Sequence, residues 1–193
     1  MNEHILTLAR ENAPCYLYEY DVMKAQVETL RQTFPQYDLL YSIKANPFPP
    51  VVRALAALGL GADAASAPEV LLSRKCGMAK KDIFFSAAGK SDAALEAAWD
   101  EGEIIADSLG EVARIGALCR RKGQRRAIGV RMNPAFGMGG GVGTSSKFGI
   151  NEEDLPQLKA LLDDLPVTVE GIHVHLKSQN LDADVLGGCY RDS

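Results

Sequence analysis

The sequence lacks the features that mark several large classes of protein. Its 193 residues include four cysteines, three histidines and one tryptophan. The cysteines, at Cys15, Cys76, Cys119 and Cys189, have no Cys-x-x-Cys spacing, so neither a zinc motif nor a disulfide framework is expected. No apolar run approaches the ~20 residues of a membrane helix, and the N-terminus does not resemble a signal peptide. We therefore expect a cytoplasmic protein with no membrane contact.

The chain also lacks an excess of positive charge. It has 21 Lys and Arg residues against 25 Asp and Glu residues, a formal net charge of -4. The cations are scattered except around Gly123, where they are typical of a solvated helix end. Nucleic acid is therefore not an expected partner. The apolar fraction of 47% and charged fraction of 24% are ordinary for a globular domain.

Short β-type runs recur along the chain, with helical patterns between them. Their starts are about 21 to 23 residues apart until a longer last gap, which is the regularity of a repeated βα unit. Ser66 with Pro68 predicts one helix start, and Ser108 with Glu111 predicts another through a capping box. The predicted strands are 39–43, 61–65, 82–86, 103–107, 126–132 and 167–175.

Strands that alternate with helices predict an α/β fold with a parallel sheet. A doubly wound sheet and a (β/α)8 barrel both fit, but the even repeat and short strands favour the barrel. Six units are fewer than the eight of a closed barrel, so we expect an incomplete one spanning 36–193. Residues 1–35 should lead into it, with an aromatic-rich strand at 14–20 that belongs to a second β-domain and a helix from 21 to about 33.

Polar residues cluster where the predicted strands end, which is where a barrel carries its reactive groups. Ser66, Ser86 and Asp107 are also typical of helix caps and solvated strand ends. Lys44 is different, because it stands between Ile43 and Ala45 and precedes a turn signal. A partly buried lysine loses its proton more readily, and the neutral amine forms imines with the aldehyde of pyridoxal phosphate. The full set is Lys44, Asp63, Ser66, Ser86, Asp107, Arg131, His173 and His175.

His173 and His175 are two residues apart on one predicted strand, so their side chains share a face. Gly171 precedes them on that face and leaves room for a flat ligand. A metal pair is an alternative, but no third ligand is evident, so no metal is expected. The glycine-rich segment 137–147 matches neither the dinucleotide fingerprint nor the P-loop, and it is interpreted as a mobile loop or lid over the barrel mouth.

Four ordered motifs resemble those of a known family. In sequence and spacing they are similar to the fold-type III pyridoxal phosphate decarboxylases, with the diaminopimelate decarboxylases closest and the ornithine and arginine decarboxylases further away. The resemblance runs from about Pro14 to Gln179. The motifs are Tyr-Ser-Ile-Lys-Ala-Asn at 41–46, Gly-Ala-Asp-Ala-Ala-Ser at 61–66 with Pro68-Glu69, Ser-Lys-Phe-Gly-Ile at 146–150, and Gly-Ile-His-Val-His-Leu-Lys-Ser-Gln at 171–179.

This resemblance implies a barrel of the alanine racemase-like type and a role for each matching residue. Lys44 would form the imine with pyridoxal phosphate, and His175 would stack on the cofactor ring. Ser178 would bind the phosphate, Asp63 would lie close to the lysine, and Arg131 would face the cofactor pocket. The implied reaction is decarboxylation of an amino acid as a small-molecule substrate, with meso-diaminopimelate giving L-lysine and CO2 in lysine biosynthesis.

The sequence also departs from the family pattern. Lys177 stands where the family usually has glycine, and the later phosphate loop and C-terminal β-domain have no counterpart. We therefore expect the isolated chain to be inactive, and to associate as a homodimer or with a missing C-terminal half. The alternatives are a truncated, non-catalytic cofactor-binding or interaction protein, an ornithine- or arginine-type decarboxylase, and an amino-acid racemase.

Overall fold

Seven parallel strands run through the centre of the protein in a computed structural model that describes residues 3–136, 146–175, 182–184 and 187. Six of them match the predicted strands, with ends that differ by at most one residue. The seventh, a two-residue strand, was not predicted. The strands are β1 (Leu40–Ser42), β2 (Gly61–Ala64), β3 (Ile83–Phe85), β4 (Glu103–Ala106), β5 (Arg126–Asn133), β6 (Ile150–Asn151) and β7 (Val167–Val174).

The strand order distinguishes the two predicted architectures. From β1 to β5 each strand pairs with the next one in the chain, and β5 also pairs with β6 and β7. The β5–β7 pairing is the longest, with Cα partners from Arg126 and Val167 to Met132 and Val174. A doubly wound sheet reverses its order at a switch point, whereas a barrel keeps chain order. The predicted incomplete (β/α)8 barrel is therefore confirmed.

The helices begin and end where the sequence provides caps. Ser66 Oγ accepts a hydrogen bond from Glu69 N at 3.4 Å, and Ser108 Oγ accepts one from Glu111 N at 3.2 Å. Gly123 ends its helix with a φ of 63°, which glycine adopts without strain. The helices are α1 (Glu3–Asn12), α2 (Tyr20–Thr33), α3 (Pro49–Ala57), α4 (Ala67–Lys75), α5 (Asp92–Ala98), α6 (Leu109–Lys122) and α7 (Leu155–Asp164). Within the described ranges, none is long and apolar enough to cross a bilayer.

The core lies between the sheet and the helices that follow its strands. One cluster joins α5, α6 and α7 to β4, β5 and β7 around Trp99 and Ile115. A second joins α3, α4 and α5 to β2 and β3 around Phe85. Packing of this kind fixes the strands from the side, so their carboxyl ends remain free to carry a site.

One prediction about the N-terminal part needs correction. Residues 15–19, predicted as part of a strand over 14–20, have no regular secondary structure and are exposed, and Tyr20 already begins α2. A strand requires a hydrogen-bonded neighbour, and the described residues supply none for this segment. The predicted helix after it is confirmed, and α1 was not predicted. The division into residues 1–35 and 36–193 stays a proposal.

Candidate functional site

The carboxyl ends of five strands surround a cavity of about 590 Å³. Its polar lining residues are Lys44, Asp63, Ser86, Arg131, Ser146, His173 and His175. Four of the five predicted cofactor-binding residues are therefore close together. The fifth, Ser178, lies outside the described residues, as do Lys177 and segment 137–145 of the predicted lid.

Lys44 lies in a short 3-10 turn, Ile43–Ala45, directly after β1. Ile43 is fully buried, but Lys44 is exposed. The prediction that this lysine is partly buried was wrong, because the turn places the side chain at the open mouth of the cavity rather than beneath it. The idea that burial activates the amine therefore has no support in the structure. Its position beside the other lining residues agrees with the prediction.

Asp63 forms a fixed negative charge within the lining. Ser42 Oγ donates to Asp63 Oδ2 at 3.1 Å, and Ser86 Oγ donates to Asp63 Oδ1. The three residues come from the ends of three adjacent strands, so the carboxylate is held by hydrogen bonds on both oxygens. Ser86, interpreted as a cap or solvated strand end, thus orients Asp63, whereas Ser66 caps α4 as expected.

Arg131 is held from two sides. Its Nη1 lies 3.3 Å from Asp107 Oδ1, and Asp107 is almost fully buried at the end of β4. The Arg131 guanidinium carbon lies 5.0 Å from the centre of the Phe148 ring, a cation–π contact. Phe148 belongs to the Ser-Lys-Phe-Gly-Ile motif, which gives that motif a place in the lining. The guanidinium is thus a positioned donor for an anionic ligand.

His173 and His175 share a face of β7 and both line the cavity. Within the described residues, His173 Nδ1 is buried and has no hydrogen-bond partner. Burial lowers the pKa of His173, and the Arg131 cation lowers it further. An uncharged imidazole with an unused nitrogen is available to bond a ligand. A Cβ at Gly171 would meet no atom within 4 Å, so this face has room for a flat group.

These residues suit pyridoxal phosphate, which is flat, anionic and carries an aldehyde. An amine, a guanidinium and an unpartnered imidazole line one cavity, and an open glycine shares the strand face of the imidazole. In the ranges that the structure describes, no three His, Cys, Asp or Glu side chains are grouped to hold an ion.

A buried ion pair behind the cavity was missed in the sequence. Lys90 Nζ donates to Glu111 Oε2 at 3.0 Å and to the carbonyl oxygens of Ala87 and Ile105 at 2.5 and 2.6 Å. The Glu111 carboxylate also accepts from Asp107 N at 2.7 Å. Glu111 of the predicted capping box therefore has two roles. Its carboxylate accepts the hydrogen bonds from Lys90 and Asp107, and its backbone N–H donates to Ser108 Oγ. The pair ties the Ala87 loop of the lining to the end of β4.

Comparison with known proteins shows the family to which the chain belongs. The model of the pyridoxal-dependent decarboxylases, pyridoxal binding domain, matches residues 20–191. The L-glutamyl-(BtrI acyl-carrier protein) decarboxylase of Niallia circulans is 33% identical over 91% of this chain and 43% of that protein. The diaminopimelate decarboxylase of Aquifex aeolicus is 30% identical over 88% of this chain and 42% of that protein.

Solved structures confirm the fold. Diaminopimelate decarboxylase from Helicobacter pylori complexed with L-lysine superposes with a TM-score of 0.80 at 23% identity, covering 98% of this chain and 53% of that one. Lysine/ornithine decarboxylase from Vibrio vulnificus complexed with putrescine gives 0.78 at 24%, covering 97% and 49%. The chain spans less than half the length of the two curated relatives. It belongs to the pyridoxal-dependent decarboxylases, matches their pyridoxal-binding domain, and has pyridoxal phosphate as its cofactor.

Proposed function

We propose that this chain is the cofactor-binding part of an amino-acid decarboxylase in which Lys44 attaches pyridoxal phosphate. The observation that carries the proposal is the convergence of Lys44, Asp63, Arg131 and His175 on one cavity, at the strand ends where a barrel of this family carries its site. Three of these residues come from three of the four motifs that resemble the family. A non-catalytic binding protein would account for the same convergence, so the proposal rests on chemistry as well.

Pyridoxal phosphate supplies an electron sink that accepts the electron pair left when a carboxylate departs as CO2. The chain's own residues have supporting roles. Lys44 Nζ provides the attaching amine, and Asp63, fixed by Ser42 and Ser86, supplies a negative charge in the same cavity. Arg131 provides a positioned cation, and the His175 ring offers a face for stacking. Ser178 is proposed as the phosphate ligand.

Covalent attachment at Lys44 tests this proposal directly. The chain is mixed with pyridoxal phosphate and reduced with borohydride, and the modified peptides are identified by mass spectrometry. We expect the label at Lys44, and Lys44→Ala should remove it. Lys75→Ala, at an exposed position at the end of α4, should keep the Lys44 label. Labelling spread equally over surface lysines would contradict the proposal.

The proposed substrate is meso-diaminopimelate, decarboxylated to L-lysine, because a relative at 30% identity carries that name. A second candidate is an amino-acyl group on a carrier protein, because the relative at 33% identity acts on L-glutamyl attached to one. Release of CO2 from meso-diaminopimelate, ornithine, arginine and an L-glutamyl carrier protein separates them. We expect no release by this chain alone, and turnover only when the remaining half of a full-length relative is added.

A further inference from the structure

The turn that carries Lys44 is fixed by a hydrogen-bond hub at Asn46. Asn46 N donates to Ile43 O at 3.1 Å and closes the turn. Asn46 Oδ1 accepts from Phe48 N at 3.1 Å, and Asn46 O accepts from the Tyr41 hydroxyl at 3.3 Å. Its backbone and side chain thus join the residues on both sides of the lysine. Because Lys44 is exposed, packing does not orient its side chain. Within the described residues, the hydrogen bonds of Asn46 fix the turn that carries it.

The remaining donor of Asn46 reaches a distant part of the chain. Asn46 Nδ2 donates to the Tyr18 hydroxyl at 3.0 Å across 28 residues of sequence. The Tyr18 ring also packs on Phe48, with centroids 5.8 Å apart and an angle of 31° between the planes. Tyr18 lies in the exposed segment 15–19, which has no regular secondary structure. The lysine turn is therefore connected to that segment by one hydroxyl and one ring contact.

Tyr41 strengthens the hub at neutral pH. Burial raises the pKa of Tyr41, and the neighbouring Tyr18 raises it further. A tyrosine of ordinary pKa is already protonated at neutral pH, and the raised pKa extends the range over which this hydroxyl donates to Asn46 O. The lysine turn is bound to β1 by this bond and to the N-terminal segment by Tyr18.

We propose that Asn46 and Tyr18 are positioning residues for Lys44, so that the conformation of segment 15–19 sets how well the amine is presented to the cofactor. The inference rests on the proposed function of Lys44. It assigns the N-terminal segment a role in the site although it contributes no residue to the cavity lining.

The test is the concentration of pyridoxal phosphate that half-saturates borohydride labelling of Lys44, measured beside the thermal midpoint of unfolding. Tyr18→Phe removes the hydroxyl and keeps the ring contact with Phe48. We expect it to raise the half-saturating concentration about threefold to fivefold, the effect of one net hydrogen bond, at an unchanged midpoint. Tyr16→Phe removes a hydroxyl from a residue that is 91% exposed in the same segment, and it should behave as wild type.

A double variant separates positioning from general loosening. If both residues act through their shared bond, Tyr18→Phe should add nothing in the Asn46→Ala background. Equal half-saturation in wild type and Tyr18→Phe would overturn the inference and leave the proposed function intact. A fall in the midpoint that accompanies weaker labelling would also overturn it, because the role would then be structural. No label at Lys44 in the wild type would remove the proposed function first.

Discussion

Lys90 and Glu111 are charged residues that the fold withdraws almost completely from water, with side chains 0% and 1% exposed. Lys90 satisfies its three ammonium donors with one carboxylate and two carbonyl oxygens. Burial lowers the pKa of Lys90, while Glu111 acts to raise it. Removing one member of such a pair leaves the other charge buried without compensation, which costs more than the pair contributes.

We therefore expect Lys90→Met to lower the free energy of unfolding by about 3 kcal/mol, at the low end for buried pairs. The low end applies because Arg114, 3.8 Å from Glu111 but 40% exposed, compensates in part. Arg121→Met is the matched control, since it breaks a pair with Glu96 whose side chains are 58% and 54% exposed. It should cost less than ~1 kcal/mol. Urea denaturation measures both, and equal losses would contradict the expectation.

His173 makes stability depend on pH. Its pKa is lowered in the folded state by burial and by Arg131 and His175, while Asp63 and Asp107 oppose the shift. Below the ordinary value of about 6.5, the unfolded chain binds a proton that the folded chain binds less readily. The stability contribution of neutral His173 is thus complete above about pH 6.5 and is lost as pH falls toward the folded pKa.

His173→Asn should remove that loss, since the amide does not titrate. We expect the plot of unfolding free energy against pH to be flatter below about pH 6.5, by up to about 1.4 kcal/mol per pH unit. Denaturant titrations at several pH values provide the measurement. A variant that keeps the wild-type slope would show that other groups produce it.

At the scale of elements, α6 packs closely where it carries Gly116. A Cβ at this position would lie 2.6 Å from Leu165 Cδ1, and Leu165 is buried between α7 and β7. Gly110, in the first turn of the same helix, faces open space, with Ser108 Oγ at 4.0 Å. The two glycines thus differ in packing but share the same helix.

Gly116→Ala should destabilise the protein by about 1 to 3 kcal/mol, because Leu165 must shift in a packed core. Gly110→Ala should be neutral or stabilising by up to about 1 kcal/mol, since alanine favours the helix. Thermal unfolding followed by circular dichroism compares them. If both variants gain stability, Leu165 moves aside without cost and the close packing is not a constraint.

The elements also show what sequence can predict. The strands were predicted because local sequence patterns determine them, and the helix starts at Ser66 and Ser108 were predicted because these residues are caps. The two-residue β6 is too short to alternate, and the strand predicted over 14–20 depends on a partner that local sequence does not reveal. Lys44, Asp63, Arg131 and His175 were predicted since parallel strands bring their ends together. Lys90–Glu111 and Tyr18–Asn46 join residues 21 and 28 apart, so only the folded structure reveals them.

At the scale of the whole molecule, β7 exposes a large apolar side chain, Ile172, beside a strand edge. It pairs with β5 along one edge, and within the described residues no strand pairs with its other edge. Ile172, 72% exposed, points away from the face of His173 and lines an apolar groove of about 350 Å³ with Phe136, Leu155 and Val174. Exposed apolar surface beside an unpaired edge promotes association.

We therefore expect the isolated chain to associate with a second copy through β7. The weight-average mass from sedimentation equilibrium should rise with concentration in the wild type, and Ile172→Glu should shift the association to at least about tenfold higher concentration, since it places a charge in the apolar groove. Thr168→Glu introduces the same charge on the same strand but outside the groove lining, so it should associate as the wild type does. A monomeric wild type at all concentrations would mean that this surface is covered within the chain itself, and an equal effect of both variants would mean that net charge, rather than the groove, controls association.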